Sequence, residues 1–258
     1  MDRLTRHADL LALSGGDPWV RWALPDPLPG EVWLHQGVAL VQRTGHRPGF
    51  WVAPLRAGMP AVDEPDRMAA ALVALRDGEH LGRLGSRSVS VPQEHAAVAH
   101  RVLDLGDGGD WEWMWTTTLP DVDARERDVI PLDDGRDAVE LEEFTRANNP
   151  RVWTEVGTGR VHRWVGLRDE SGQLIAIGGA ELEATGIPHL AGIVTAVERR
   201  GAGLARVVSA ALTRWALEAH GVCTLGMFSD NDAARRLYAG LGYRTARAWH
   251  SRMLAPRG

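Results

Sequence analysis

The stretch with the clearest chemistry runs from Arg200 to Arg206 and contains two glycines, Gly201 and Gly203. Glycines at this spacing allow a tight backbone turn and a close approach of the backbone to a ligand. A helix is predicted next, because apolar residues recur at the spacing of one helix face. The unpaired N–H groups at a helix start bind phosphate and carboxylate oxygens, so the stretch predicts an anion site. The apolar positions are Leu204, Val207, Val208, Ala211, Leu212 and Trp215.

The turn fits neither of two common nucleotide motifs. In the dinucleotide pattern G-x-G-x-x-G the third glycine would fall at Arg206, and the Gly-Lys-Ser/Thr of a nucleotide-triphosphate loop is missing. A strand is predicted directly before the turn, over His189–Thr195, so the unit is strand, glycine turn and helix. Taken alone, these residues are equally well explained by an ordinary turn at the start of a helix.

A second pattern lies one predicted strand further along the chain. The apolar run Val222–Phe228 predicts that strand, and Ser229 and Asp230 are residue types that cap a helix start. The helix that follows is expected to end at Gly242, where a left-handed backbone is favoured. The string reads Asn231-Asp232-Ala233-Ala234-Arg235-Arg236-Leu237-Tyr238-Ala239-Gly240-Leu241-Gly242-Tyr243.

This string resembles the second signature of the GNAT superfamily of acetyl-CoA-dependent N-acetyltransferases. The first signature of that family, R/Q-x-x-G-x-G/A, is matched by Arg200, Gly203 and Ala205. Two signatures in the expected order, separated by one helix and one strand, predict a GNAT fold for the C-terminal half. The implied fold class is α/β, with α+β character and a mixed sheet whose central strands splay apart.

The resemblance implies a site for acetyl-CoA as co-substrate. The backbone of Ile193, Val194 and Thr195 would pair with the pantetheine arm like an added strand. Asn231 would hydrogen-bond the pantetheine region, and Tyr238 would stand near the thioester sulfur. The pyrophosphate would be held beside Arg200 by the backbone N–H groups of Gly201, Ala202, Gly203, Leu204, Ala205 and Arg206.

The resemblance also implies direct acyl transfer, in which a neutral amine attacks the thioester and the thiolate leaves. A backbone N–H near Val194 would stabilise the oxyanion that develops. Tyr238 would protonate the departing thiolate, although an ordinary tyrosine pKa of about 10 exceeds the ordinary thiol pKa of about 8.5. Without the surrounding motif, Tyr238 would be interpreted as a half-buried helix aromatic whose hydroxyl reaches water.

The sequence does not single out a general base. Many members of the family carry an acid on the strand before the Asn, but Val222–Phe228 has none. Glu181 and Glu183 lie on one face of a predicted strand, Leu174–Glu183, and His189 begins the next. We take Glu181 as the candidate base. The alternative for each of these residues is an exposed polar side chain at a strand end.

Charge narrows the choice of partners. Five arginines flank the predicted site and would attract the phosphates of coenzyme A, although a solvated helix face is the usual role of such residues. Glu155, near Trp153, would bind a cationic amine. The net charge of −5 and the absence of a long basic tract argue against nucleic acid. The resemblance implies a small-molecule or peptide amine as the acceptor. The arginines are Arg199, Arg200, Arg206, Arg235 and Arg236.

Length and cysteine content set the frame for the fold. The 258 residues exceed one acetyltransferase domain of roughly 150 residues, which predicts two domains. Cys223 is the only cysteine, so no internal disulfide is possible and a cytoplasmic location is expected. No apolar run reaches the length of a membrane span, so no membrane partner is expected. His95 and His100 lack the spacing and the partners of a metal site, so no metal is expected.

The N-terminal half, residues 1–120, predicts an order of elements that loosely echoes the acetyltransferase pattern, which suggests a tandem arrangement with a degenerate GNAT-like first copy. Its nearest counterpart to the glycine turn is Arg56-Ala57-Gly58, followed by Pro60. No second signature follows, so this copy would not bind coenzyme A; a cap over the acceptor site is the alternative. Helices are expected at Arg3–Leu13, Asp66–Leu75 and Gln93–Leu105, and strands at Glu31–Gln42, Phe50–Leu55 and Ser88–Val91.

The remaining patterns concern the join and the second domain. Trp111, Trp113 and Trp115 would line one face of a strand, either as an aromatic wall for the acceptor or as a packing face. The polar run Pro120–Arg127 is typical of a linker, so the second domain is expected over residues 128–258. Its elements are predicted as strands at Asp128–Leu132, His162–Leu167, Leu174–Glu183 and within Tyr243–Leu254, and a helix at Asp137–Arg146.

The sequence thus predicts an N-acetyltransferase that moves an acetyl group from acetyl-CoA to a primary amine. Two alternatives stay open. The first is an acyl-CoA-binding regulatory module or pseudo-enzyme without turnover, motivated by the acid-free strand and the degenerate first half. The second is transfer of a longer acyl group.

Overall fold

The computed structural model describes residues 1–44, 48–55, 63–78, 80–83 and 85–255. These residues form twelve strands and eight α-helices, arranged in two compact units. The first unit comprises residues 1–113, 228–230 and 246–258, and the second comprises 114–227 and 231–245. Within the described residues, every helix is too short or too polar to cross a membrane.

The strands are β1 Asp2–Leu4, β2 Val32–His35, β3 Val38–Arg43, β4 Gly49–Pro54, β5 Ser88–Pro92, β6 Leu105–Thr116, β7 Ile130–Leu132, β8 Val161–Arg168, β9 Leu174–Leu182, β10 Pro188–Thr195, β11 Cys223–Phe228 and β12 Arg244–Leu254. The helices are α1 His7–Leu13, α2 Pro18–Ala23, α3 Glu64–Asp77, α4 His80–Arg83, α5 Ala96–Val102, α6 Ala138–Asn148, α7 Leu204–His220 and α8 Asp232–Ala239.

The second unit is built on a mixed sheet. Strands β7, β8, β9 and β10 pair antiparallel in chain order, and β11 pairs parallel with β10. A parallel pair needs a crossover connection, which α7 provides. Helix α7 buries the face that its apolar spacing predicts, with Val207, Val208 and Leu212 in the core. The mixed α/β architecture predicted from the sequence is confirmed.

The first unit repeats this order of elements. Strands β2, β3 and β4 pair antiparallel, and β5 pairs parallel with β4. Helix α3 lies between β4 and β5 in the chain and buries Met68, Leu72 and Leu75. Each unit therefore contains three antiparallel strands, a helix and a parallel strand. The candidate turn Arg56-Ala57-Gly58 and the following Pro60 lie outside the described residues.

Three predicted elements of the first unit were wrong in extent. Arg3 lies in β1, so the first helix begins at His7. The predicted strand Glu31–Gln42 is a hairpin, because Gln36 and Gly37 turn the chain with φ of 49° and 80°. The helix near residue 100 ends at Val102, and Leu105 begins β6 instead.

The run predicted as a linker is an ordered segment, which we call the strap (residues 120–128). Its Ala124–Asp128 part is a 3₁₀ turn that begins with a capping box between Asp123 and Glu126. Glu126 also forms an ion pair with Arg214 of α7, at 3.3 Å. Reciprocal capping and a long-range ion pair explain why this polar segment is ordered.

The alternating tryptophans of β6 make packing contacts. In the first unit, Trp113 is buried and the Trp111 indole donates to the hydroxyl of Ser251 at 2.8 Å. In the second unit, the Trp115 ring lies under the guanidinium of Arg244, 4.8 Å from the ring centre. These contacts favour the packing interpretation over an acceptor wall.

The last strand, β12, begins in the second unit and continues in the first from Ala246 onward. There it pairs antiparallel with β5, from Trp249 opposite Pro92 to Met253 opposite Ser88. The sequence analysis had placed this strand in the sheet of the second domain. Its alternating pattern predicts a strand but carries no information about which sheet receives it.

Candidate functional site

Strand β10 bends sharply in its middle. It pairs with β9 at Ala191 opposite Gly179 and again at Val194 opposite Ile177. Two residues of β10, Gly192 and Ile193, therefore face a single residue of β9, which is a β-bulge. Gly192 has a φ of 62°, a left-handed conformation that favours glycine. A bulge of this kind bends the strand and increases its twist.

The bend coincides with the divergence of β10 from β11. The parallel register between these strands consists of two pairs, His189 with Thr224 and Leu190 with Leu225. From Ala191 onward the described residues of β10 have no register partner on β11. The backbone of Ile193–Thr195 is therefore not paired with β11, which suits an extended ligand that pairs like an added strand.

A buried tryptophan shapes this bend. Trp164 on β8 is 1% exposed, and its indole N–H donates to Asp134 Oδ1 at 2.8 Å. A Cβ on Gly192 would lie 2.6 Å from the ring, and a Cβ on Gly179 would lie 3.1 Å from it. The ring thus packs against glycines on two adjacent strands. The sequence analysis did not identify Trp164 or Gly192, although a glycine inside a predicted strand is a known sign of a bulge.

The glycine turn opens α7 as predicted. Gly201 and Gly203 adopt left-handed φ values of 81° and 76°, and Gly203 is the N-cap of α7. No side chain of the described residues caps this helix start. The N–H groups of Arg206 and Val207 donate to the Gly203 carbonyl, at 3.0 and 3.3 Å. The turn is exposed from Gly201, through Ala202, to Gly203 and is half-buried at Leu204 and Ala205, and it thus presents a helix start that suits an anion.

The arginines around the turn have structural partners of their own. Arg200 Nη2 donates to the backbone carbonyl of Asn148 at 2.6 Å. The Asn148 side chain accepts from the Val197 N–H at 3.0 Å. Arg200 thus ties the approach to the turn to the end of α6. Arg235 forms an ion pair with Asp232 on α8.

Asn231 caps α8. Its Oδ1 accepts from the Ala234 N–H at 3.0 Å, which fixes the side chain at the helix start. The cap uses only Oδ1, and the Nδ2 group of an asparagine is a donor that can serve a ligand.

Tyr238 is more deeply buried than the sequence suggested. Its side chain is 7% exposed and packs edge-on against Tyr243, with ring centres 5.8 Å apart, in the core beneath α7. Burial raises the pKa of the Tyr238 hydroxyl well above its ordinary value, and an interaction with Ser209 opposes this only in part. The hydroxyl is therefore protonated at neutral pH, as an acid must be.

Glu181 lies on β9 opposite His189, two residues before the point where β10 leaves β11. Burial raises the pKa of Glu181, while Arg160 and His189 act to lower it. Arg160 Nη2 is 3.9 Å from the carboxylate. Carboxylates with a raised pKa are suited to general-base work near neutral pH.

His189 forms its own ion pair with Glu183. Its Nδ1 is 2.9 Å from Glu183 Oε1 and 2.9 Å from the Thr224 hydroxyl. Burial acts to lower the pKa of His189, but the charge and hydrogen bond of Glu183 outweigh it, so the pKa is raised. His189 therefore resembles a charged partner of Glu183 more than a free base.

The segment before β8 covers the bulge. The Thr154 methyl group would lie 3.4 Å from a Cβ on Gly192. Its neighbour Trp153 is 54% exposed. Glu155 pairs with Arg160 at 3.2 Å, and Arg160 reaches Glu181. Arg160 therefore links the Glu155 carboxylate, two residues from the exposed Trp153, to the candidate base Glu181.

The first unit brings three potential metal ligands together. Carboxylate oxygens of Glu64 and Glu94 and a ring nitrogen of His95 all lie within 4.8 Å of one another. His95 Nε2 is 2.8 Å from Glu64 Oε1. The sequence analysis found no partner set for His95; the structure supplies one in the form of a histidine–carboxylate hydrogen bond.

Comparison with known proteins finds a family match within the second unit. The family described as acetyltransferase (GNAT) matches residues 129–243. A GCN5-related N-acetyltransferase from Kribbella flavida is similar in fold, with a TM-score of 0.52 at 17% identity over 98% of this chain and 96% of that one. A GNAT-family protein from Novosphingobium aromaticivorans gives a TM-score of 0.53 at 18% identity, over 84% and 92% of the two chains. No curated protein matches the sequence.

Proposed function

We propose that residues 129–243, which match the GNAT acetyltransferase family, move an acetyl group from acetyl-CoA to a primary amine by direct attack. The observation that carries this proposal is the divergence of β10 from β11 at the bulge, directly followed in the chain by the uncapped start of α7. An opening between strands next to an anion-binding helix start suits a ligand with an extended amide arm and a diphosphate.

In this proposal the donor lies along β10 and across the glycine turn. The pantetheine amides pair with the backbone of Ile193–Thr195, and the diphosphate accepts from the N–H groups of Gly201–Ala205. The Arg206 N–H, which the resemblance also implied, is already bonded to the Gly203 carbonyl. The Nδ2 group of Asn231 donates to the pantetheine arm. Arg200 holds the approach to the turn through its bond to Asn148, and this firm attachment supports the orientation of the turn.

The transfer joins the amine nitrogen to the acetyl carbon and breaks the carbon–sulfur bond. The bulge leaves one residue of β10 outside the ladder, so an N–H near Val194 is the candidate donor to the oxyanion. Tyr238 gives its proton to the departing thiolate. Glu181, directly or through water, receives the proton that the amine loses. The raised pKa of Glu181, caused mainly by burial, supports its assignment as the base. The assignment of Tyr238 rests on the second signature and on a hydroxyl that stays protonated at neutral pH.

Release of free thiol from acetyl-CoA in the presence of a panel of small amines and peptides tests the proposal. The chain has two tyrosines, so Tyr243→Phe is a matched control for loss of a buried hydroxyl. We expect Tyr238→Phe to retain acetyl-CoA binding and lose most turnover, while Tyr243→Phe keeps turnover. Full turnover by Tyr238→Phe would refute the acid assignment.

A second candidate function is acyl-CoA binding without turnover. It is favoured by β11, which carries no carboxylate between Cys223 and Phe228. The two candidates separate on whether bound acetyl-CoA is consumed with any amine or recovered intact. Transfer of a longer acyl group is a third candidate; Val194 and Cys223 are both buried, which favours a short group.

We also propose that the first unit is a degenerate copy that does not bind coenzyme A. Its helix α3 occupies the same place in the order of elements as α7, but it begins with Glu64, whose carboxylate bonds to His95. A carboxylate at a helix start takes the place that a diphosphate would need. Calorimetry should therefore give one coenzyme A per chain, and two sites would contradict the proposal. A cytoplasmic location stays a prediction from the lone buried cysteine.

A further inference from the structure

The strap contacts the glycine turn through the side chain of Arg125. Its Nη1 donates to the backbone carbonyl of Ala202 at 2.8 Å. Its Nε and Nη2 donate to the two carboxylate oxygens of Asp123, at 3.0 and 2.8 Å. All three guanidinium nitrogens are therefore engaged, and the planar group is fixed in one orientation.

The strap is itself attached to the body of α7. The carboxylate of Glu126 accepts from the Asp123 N–H at 2.9 Å and pairs with Arg214 at 3.3 Å. Arg214 also donates to the carbonyl of Pro120 at 3.1 Å. A chain of polar contacts thus runs from the middle of α7, through the strap, to the turn at the start of the same helix.

The bond to Ala202 fixes a peptide plane. In a trans peptide the carbonyl of one residue and the N–H of the next point in opposite directions. With the Ala202 carbonyl held toward Arg125, the Gly203 N–H points away from the strap. This plane rotates about ψ of Ala202 and φ of Gly203, and the glycine, with a φ of 76°, makes rotation on its side easy.

We infer that Arg125 is a positioning residue that keeps the Ala202–Gly203 peptide turned with its N–H toward the diphosphate of coenzyme A. This inference rests on the proposed function. Arg125 lies outside the matched residues 129–243, and neither signature contains it. In the absence of Arg125, the carbonyl is free to turn toward the phosphates and repel them.

The Asp123 carboxylate neutralises the charge of Arg125, so the proposed role differs from simple attraction between a cation and the diphosphate. Asp123 accepts two hydrogen bonds from the Arg125 guanidinium, and these bonds lower the pKa of Asp123 to about 2. The pair is therefore ionised and carries no net charge at neutral pH. Its effect on the diphosphate comes from orienting a backbone dipole, so it should depend on the hydrogen bond to Ala202 more than on the presence of a cation.

Calorimetric titration of the full chain with coenzyme A, and with pantetheine as a probe that lacks the diphosphate, tests the inference. Arg127 is a matched control, because it lies in the same strap and is exposed. Its Nε pairs with Oδ1 of the neighbouring Asp128 at 3.5 Å. We expect Arg125→Ala to weaken coenzyme A binding about tenfold, the effect of one charge-assisted hydrogen bond, and to leave pantetheine binding unchanged. Arg125→Lys, which can still donate to Ala202, should recover part of the loss. Arg127→Ala should bind both ligands like the wild type.

Three results would overturn the inference. Unchanged coenzyme A binding by Arg125→Ala would show that Arg125 is not required to orient the Ala202–Gly203 peptide. Equal weakening for coenzyme A and pantetheine would show a general structural role instead. Wild-type protein that binds no coenzyme A would refute the proposed function and the inference together, whereas the first two results leave the proposed function standing.

Discussion

Gly192→Ala should damage the site at its bend. Gly192 combines a left-handed φ of 62° with a ring carbon of Trp164 2.6 Å from the position of an added Cβ. Trp164 cannot move aside easily, because it is buried, bonded to Asp134 and packed against Gly179 as well. The substitution must therefore either shift the tryptophan or flatten the bulge.

The expected cost has two parts. A left-handed backbone costs an L residue about 1–2 kcal/mol relative to glycine. Overpacking against a fixed ring adds about 1–3 kcal/mol. Together they predict that Gly192→Ala lowers the free energy of unfolding by about 2–5 kcal/mol. A flattened bulge would also close the opening beside Ile193–Thr195, so acetyl-CoA binding should weaken.

Urea unfolding and calorimetric titration with acetyl-CoA measure the two effects. Gly186→Ala is the matched control, because Gly186 has a φ of 77° and nothing within 4 Å of an added Cβ. It should show only the backbone part, about 1–2 kcal/mol, and normal binding. Equal destabilisation by the two substitutions, or full binding by Gly192→Ala, would refute the role assigned to Trp164 and the bulge.

Three further predictions concern single side chains. Asn231→Asp keeps an oxygen for the α8 cap but loses the Nδ2 donor, so thermal stability should be unchanged while calorimetry shows weaker acetyl-CoA binding. Asn231→Ala should in addition lower the free energy of unfolding by about 1 kcal/mol. Equal acetyl-CoA binding by both variants and the wild type would exclude a ligand role for Asn231. If Glu181 is the base, kcat/KM should fall at low pH with an apparent pKa above that of an ordinary glutamate, because burial raises the pKa of Glu181. Glu181→Gln should abolish this fall. An unchanged pH profile in the variant would exclude Glu181 as the base. Burial raises the pKa of Cys223 from 9.0 to about 12, so the unfolded thiol ionises first and the free energy of unfolding should fall between these pH values. The slope is up to about 1.4 kcal/mol per pH unit, and an equal fall in Cys223→Ala would contradict this origin.

The local elements of the site could be predicted because they are encoded by short patterns. The apolar spacing of α7 predicted its buried face, and the glycine turn opens this helix as expected, with Gly203 as its N-cap. Strand β10 was predicted from His189 and begins one residue earlier, at Pro188. The prediction for α8 was less accurate: Asn231, not Ser229 or Asp230, caps the helix, which ends at Ala239 and not at Gly242.

The contacts between distant segments could not be predicted, because no local pattern specifies them. In the sequence, Trp164 is one apolar residue of a predicted strand. Its packing on Gly192 depends on the pairing of β8, β9 and β10. Arg125 lies in a polar run that resembles a linker, and its bond to Ala202 joins residues 77 positions apart. The pairing of β12 with β5 likewise depends on tertiary contacts alone.

Calorimetric titration of the full chain with acetyl-CoA tests the central claim most directly. Gly203→Glu places a carboxylate at the turn, and Gly221→Glu is its control, since Gly221 has a similar φ of 72° at the opposite end of α7. The account predicts one site in the wild type, loss of binding in Gly203→Glu and retained binding in Gly221→Glu. Absence of wild-type binding, or equal binding by the two variants, would contradict it.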